Sequence, residues 1–344
     1  MAQLLNVSKV SVRYELEDAT VDALRNLSIE LREANATLGI VGESGSGKTT
    51  LGMTLMNLIE PPAKLNAERL EVLGRDLLKM NQDELRTFRW EEIAMVFQSA
   101  MNSLNPVKNI SHPIVEVLKQ HKGVSSREAR EIAEKLLADV GIDPKWSKSF
   151  PHELSGGMRQ RVVIALALAL SPKLLIADEP TSALDVVTQR EILGLLKQQV
   201  VQRNLSLIFI THEISLLPNL VDYVAVMYRG EIVEHGPINK VLSEPLHPYT
   251  QMLLSTLITR QSTAAQLSSS EGGHHDYQRE ATAEVTGVRQ QQQEQQQKQT
   301  QQEITDASCG YADRCKYAFD RCLIEKPSLR MIEEERYASC HKYN

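Results

Sequence analysis

Thr37-Leu38-Gly39-Ile40-Val41-Gly42-Glu43-Ser44-Gly45-Ser46-Gly47-Lys48-Thr49-Thr50 decides how the chain is read. Its first five residues form a short apolar run suited to a buried strand, and Thr50 to Leu58 has helical spacing and composition. Between them, Gly42-x4-Gly47-Lys48-Thr49 fits the P-loop pattern in the strand-to-helix context which that pattern requires. Glycines let the backbone curl closely around phosphate, so that several N–H groups and the positive end of the following helix point at the anion. Gly42 to Thr50 is therefore the candidate phosphate cradle. In it Lys48 neutralises the β and γ phosphates and the Thr49 hydroxyl ligates Mg2+.

Working outward, Val7, Val10, Val12 and Tyr14, then Leu27, Ile29 and Leu31, alternate as strands with one buried face do. A small β-rich entry region is expected there. From about Gln82 to Arg161 the pattern is mainly helical, which predicts an inserted helical subdomain. Strand candidates resume at Lys173 to Ala177, Ser206 to Thr211 and Tyr223 to Tyr228, with a helix at Gln189 to Gln202. Strands alternating with helices predict an α/β fold with a largely parallel sheet covered on both faces.

The chain has 344 residues, 42% hydrophobic and 24% charged, which is globular composition and more than one usual domain. A net charge of -6 gives no general attraction to nucleic acid, and no nucleic-acid partner is expected. Met1 to Asn6 lacks the basic start and apolar stretch of a signal peptide. The apolar run Val162 to Leu170 is about half of the ~20 residues a membrane-spanning helix needs. If the protein serves a membrane, other subunits span it.

Leu174 to Ala177 is a buried-strand pattern that ends in Asp178-Glu179. By itself such a pair often caps a helix or sits in a solvated turn. Downstream of a phosphate cradle it supplies one carboxylate for Mg2+, Asp178, and a second to activate water, Glu179.

Leu154-Ser155-Gly156-Gly157-Met158-Arg159-Gln160-Arg161, upstream of that strand, resembles the signature motif of ATP-binding cassette (ABC) proteins. A generic P-loop kinase or GTPase lacks it. The resemblance implies the ABC ATPase version of the P-loop NTPase fold: a mostly parallel central sheet, an N-terminal antiparallel β subdomain and an inserted helical subdomain. It also implies that Ser155, Gly156 and Gly157 bind the γ-phosphate held by an opposite subunit, so that two cassettes sandwich two nucleotides. Other cassette elements follow in order. Gln98 matches the glutamine that touches Mg2+ or the attacking water, Ser182-Ala183-Leu184-Asp185 the loop across the dimer interface, and His212 the histidine at the γ-phosphate. Tyr14 is the candidate for stacking on adenine, although an aromatic in a strand is more often packed in a core.

Phe97-Gln98-Ser99-Ala100-Met101-Asn102-Ser103-Leu104-Asn105-Pro106 and His247-Pro248-Tyr249-Thr250 look like the dipeptide and oligopeptide branch of importer ATPases. Related members handle nickel or oligosaccharides. The branch implies a second, non-identical ATPase subunit, two transmembrane permease subunits and an extracellular or periplasmic substrate-binding protein. It places the chain peripherally at the cytoplasmic face of the membrane. The other reading is a soluble cassette ATPase of DNA repair or translation. Repair members carry a long coiled coil between P-loop and signature, and translation members usually carry two cassettes; neither feature is present.

These readings divide the chain into a nucleotide-binding domain at 1–260, a Gln-rich linker at 261–305 and a cysteine-rich extension at 306–344. The run from Gln290 to Gln302 cannot bury enough apolar surface to offset its chain entropy. All four cysteines, Cys309, Cys315, Cys322 and Cys340, lie in the extension. Two disulfides are disfavoured in a reducing compartment, and spacing alone leaves zinc and an iron-sulfur cluster open. Cys309 to Cys315, with Cys322 and Cys340-His341, resembles the C-terminal extension of the peptide-importer ATPases, which implies a 4Fe-4S cluster. His341 is a possible substitute ligand. Ala312 and Lys316 depart from the proline-rich version usual in that branch.

Overall fold

The computed structural model describes residues 3–17, 19–255 and 307–343, in two compact units, Met1–Ser243 and Glu244–Asn344. The boundary between the two units falls at 243/244. The linker expected at 261–305 lies outside the described residues.

In the N-terminal unit, β1 (Leu5–Glu15) and β2 (Thr20–Leu31) form an antiparallel ladder. Beside β1 run β4 (Ala63–Asn66) and β5 (Arg69–Val72), with β6 (Arg75–Asp76) at the edge. The β1–β2 alternation slips midway. Lys9 and Asn26 take φ of 47° and 50° at a bulge, where Lys9 N donates to Ser28 Oγ and Asn26 N to Ser11 Oγ. The inserted residue changes the phase, so Val7 and Val10 both point into the core although three positions apart.

The second sheet of this unit runs β11-β10-β3-β9-β8-β7, with β3 (Thr37–Val41), β7 (Ile93–Val96), β8 (Leu174–Asp178), β9 (Ser206–Thr211), β10 (Tyr223–Tyr228) and β11 (Glu231–Pro237). All neighbours are parallel except β10 and β11. β3, β8, β9 and β10 are buried at every residue, which is why each reads as a continuous apolar run without alternation. β11 gave no such signal, because Glu234 and His235 interrupt it while buried to 0% and 5% exposure.

The helices are α1 (Lys48–Leu55), α2 (Gln82–Glu91), α3 (His112–Lys122), α4 (Ser126–Asp139), α5 (Gly156–Ala167), α6 (Val186–Arg203) and α7 (Ile238–Ser243). The helical stretch expected at about 82–161 is divided by β7, which belongs to the central sheet; α3 and α4 form the insertion proper.

The C-terminal unit holds a helical segment at 248–255, the short α8 (Asp320–Ile324) and a hairpin of β12 (Arg330–Glu333) and β13 (Arg336–Ala338). The His247-Pro248-Tyr249-Thr250 motif is its core: Tyr249 is fully buried and meets Tyr311 edge-on at 5.4 Å. Among the described residues no helix is long and apolar enough to cross a membrane.

Candidate nucleotide site

Four parallel strands deliver the site. The loop Gly42–Thr49 follows β3, Glu179 follows β8, His212 follows β9, and Gln98 lies two residues beyond β7. Ligands of open α/β sheets bind outside such carboxyl ends.

In the loop, Gly45 and Gly47 take φ of 77° and 95°, which a side chain would oppose. Glycine is needed at 42 for a different reason: a Cβ there would meet the Met227 carbonyl at 2.2 Å. The floor beneath the loop comes from the β10–β11 turn, where Gly230 N donates to Ser46 O at 3.0 Å. The sequence reading missed this floor, whose one signal was a glycine, Gly230, just after the expected strand Tyr223 to Tyr228. Lys48 Nζ donates to the Gly42 and Glu43 carbonyls, both at 2.9 Å. Burial holds its ammonium below the ordinary lysine range, against the pull of Glu179, Asp178 and Glu43.

Asp178 is fully buried, and neither carboxylate oxygen has a hydrogen-bond partner among the described residues. Burial raises its pKa and the Glu179 charge adds to this, while nearby Thr49 and Lys48 oppose. Thr49 pulls on the carboxylate without a well-formed hydrogen bond to it. An unpartnered buried carboxylate beside a threonine hydroxyl is the hard-oxygen donor set that Mg2+ takes, so these residues fit the ion.

Glu179 stands at φ 43°, its N–H held by the Ile210 carbonyl at 2.9 Å. That backbone turns its carboxylate between two partners. Oε1 lies 3.0 Å from His212 Nδ1, and Oε2 accepts from Gln98 Nε2 at 3.4 Å. Three residues named from sequence thus converge.

Ser155 caps α5, its hydroxyl accepting from Met158 N at 3.2 Å. Asp185 caps α6, accepting from Val187 N and Thr188 N at 3.0 Å each and from Thr188 Oγ1 at 2.7 Å. The backbone N–H of Thr188, then its hydroxyl, keep the Asp185 carboxyl below its usual range. Thr188 also packs on the signature, since a Cβ on Gly157 would meet its Cγ2 at 2.4 Å. The signature and the Asp185 loop are therefore joined through one threonine. Tyr14 is half-buried on β1 and pairs with Val21, two residues before the Ala23 carbonyl that a Cβ on Gly47 would strike at 2.3 Å.

In the C-terminal unit the four cysteines are free thiols that line one cavity with His247, Tyr311 and His341. Burial pushes the Cys309 thiol up to about 11 and raises that of Cys340. His341 Nε2 is engaged with the Glu325 carbonyl at 2.8 Å. Among the described residues no group of three or more His, Cys, Asp or Glu side chains is arranged to hold a metal ion.

Comparisons with known proteins agree with this architecture. Residues 24–182 match the ABC transporter family model, and residues 233–287 match the oligopeptide/dipeptide transporter C-terminal region. The dipeptide transport ATP-binding protein DppD of Escherichia coli is 39% identical over 98% of this chain and 96% of its own length. The oligopeptide transport ATP-binding protein OppD of Bacillus subtilis is 44% identical over 76% and 74%. Among solved structures, a dimeric bacterial ABC transporter cassette superposes with a TM-score of 0.61 at 26% identity, covering 68% of this chain and 99% of that one. A cassette from an ABC transporter complex of Clostridium perfringens gives 0.62 at 25% identity, covering 78% and 100%. The chain belongs to the ATP-binding proteins of ABC transporters, in the dipeptide/oligopeptide branch.

Proposed function

We propose that this chain is the ATP-hydrolysing subunit that powers import of dipeptides or oligopeptides. The observation that carries the reading is the Glu179 carboxylate set between His212 and Gln98, one residue from the unpartnered Asp178. In this reading the loop and Lys48 bind the β and γ phosphates, and Lys48 leaves the Gly42 and Glu43 carbonyls to do so. Thr49, Asp178 and Gln98 hold Mg2+, which supplies charge neutralisation at the phosphates. Glu179 accepts the proton of the attacking water, oriented by Gln98, while His212 contacts the γ-phosphate. Tyr14 stacks on adenine.

The site is half of a composite. Ser155, Gly156 and Gly157 serve the nucleotide of a second, non-identical ATPase subunit, and Asp185 lies across that interface. Two transmembrane permease subunits and an extracellular or periplasmic substrate-binding protein complete the importer, with this chain peripheral at the cytoplasmic face. Nucleic acid has no role. Relatives named for dipeptide and oligopeptide transport support this cargo over nickel or oligosaccharide, and the match at 233–287 weighs against a repair or translation ATPase.

Cys309, Cys315, Cys322 and Cys340, which line one cavity, are the thiolates for a 4Fe-4S cluster, the group implied by the resemblance to the C-terminal extension of the peptide-importer ATPases. Protein purified without oxygen is expected brown and iron-containing; stoichiometric zinc without iron contradicts the assignment. The cargo is tested by expressing the chain with its permease subunits and following uptake of labelled dipeptide. ATP-dependent uptake abolished by Lys48→Ala is expected. Binding of the chain to nucleic acid, without copurifying membrane subunits, contradicts the reading.

A further inference from the structure

Within the last turn of α2, shortly before β7, the backbone leaves the helical conformation at Arg89 and Trp90, a departure that the local sequence does not ask for. Trp90 sits at φ 82° and ψ -50°, the positive-φ γ-turn region, which is strained for a bulky residue. Such a conformation persists only where the surroundings impose it.

Four consecutive residues make the surrounding contacts. Arg89 Nε donates to the Met56 carbonyl at 2.9 Å and its Nη2 to that of Asn57, just past the end of α1. No basic residue occupies the last turn of α1, so this guanidinium is the cation at that helix end. The Trp90 ring lies 6.3 Å, centroid to centroid, from His121 of α3, and His121 Nδ1 is 3.7 Å from the Glu91 carboxylate. Glu92 O accepts from Lys173 N at 2.8 Å and Leu174 N at 3.1 Å, and its carboxylate pairs with Lys173 Nζ at 2.7 Å.

Residues 89–92 therefore grip the end of α1, one helix of the insertion and the start of β8, and then run into β7. The far ends of those elements carry the chemistry. α1 begins at Lys48, β8 leads to Asp178 and Glu179, and β7 leads to Gln98. We propose that Arg89 and Trp90 are positioning residues, a strained pivot through which nucleotide at the loop sets the orientation of α3 and the placement of Gln98 against Glu179. The planar Arg89 fork holds two carbonyls in fixed geometry, which a lysine cannot do. A helix moved at its phosphate end carries that movement to the pivot at its other end.

The inference rests on the ATPase reading above. Its test follows hydrogen exchange of 112–122 in the full chain with and without MgATP, and ATP turnover in the assembled transporter, in wild type, Arg89→Lys and Trp90→Gly. Glycine takes φ 82° without strain, so the second variant folds even if loss of the Arg89 fork weakens the first. The wild-type α3 is expected to change its exchange severalfold on MgATP. Both variants are expected to bind MgATP within about threefold of wild type, to lose at least half of the α3 response, and to show about tenfold lower kcat with little change in KM. A full α3 response in both variants, or kcat at the wild-type value, overturns the pivot even if melting temperature falls. Wild-type chain that fails to bind MgATP overturns the ATPase reading with it, whereas binding without the predicted variant effects overturns the pivot alone.

Discussion

Glu179 Oε1 stands 3.0 Å from His212 Nδ1, although the two residues lie 33 positions apart in the chain. Gln98, 81 positions before Glu179, reaches the other oxygen of the same carboxylate. The meeting follows from parallel pairing of β7, β8 and β9, which ends three consecutive strands of the sheet side by side. A carboxylate held from both sides is fixed in one orientation.

Asp178 carries a desolvation cost that a bound cation would offset. Its carboxylate is buried and unpartnered, so Asp178→Asn is expected to raise the stability of the nucleotide-free chain by about 1–3 kcal/mol, because the orphaned charge is gone. The same variant is expected to lose Mg2+-dependent ATP binding. Thermal unfolding without nucleotide, with titration of MgATP, checks both. A less stable variant that keeps its Mg2+ dependence contradicts the role of Asp178.

Gly157 is fixed by packing against Thr188. Gly157→Ala drives a methyl into Thr188 Cγ2 and is expected to destabilise by about 1–3 kcal/mol. Adding Thr188→Ser removes that methyl while keeping the hydroxyl that Asp185 accepts, and is expected to restore most of the loss. A double-mutant cycle in urea measures the coupling; additive losses contradict the contact.

His235 sets a pH dependence of folding. Buried on β11, with Nδ1 on the Val224 carbonyl and its ring 6.2 Å from that of Tyr223, it has a pKa pulled below the ordinary 6.5, chiefly by desolvation. Below pH 6.5 the unfolded chain therefore takes up a proton that the folded chain refuses. Stability is full above that pH and falls as pH drops from 6.5 toward the depressed folded value. Melting temperatures across this window are expected to fall less steeply in His235→Gln than in wild type. Parallel curves contradict the assignment.

How much of this was legible follows from particular residues. β3, β8, β9 and β10 were readable because complete burial leaves a continuous apolar run. β11 was not, because its buried Glu234 and His235 look like surface residues until the sheet packs over them. β7 was absorbed into a helical stretch whose helices flank it on both sides. Lys48, Asp178 and Glu179 stood in motifs with local physical logic. Gln98 and His212 were named by family resemblance alone, since nothing near either residue announces a partner across the sheet. The Trp90 turn left no sequence signal, because no glycine or asparagine marks the positive φ there.

Turnover of Glu179→Gln in the assembled transporter tests the central claim most directly. The amide keeps the shape of the side chain and removes the base, so ATP binding is expected to persist while hydrolysis falls by about 10²–10⁴-fold. Wild-type turnover in that variant would contradict the assignment of Glu179, and with it the geometry joining Gln98, Glu179 and His212 to ATP hydrolysis.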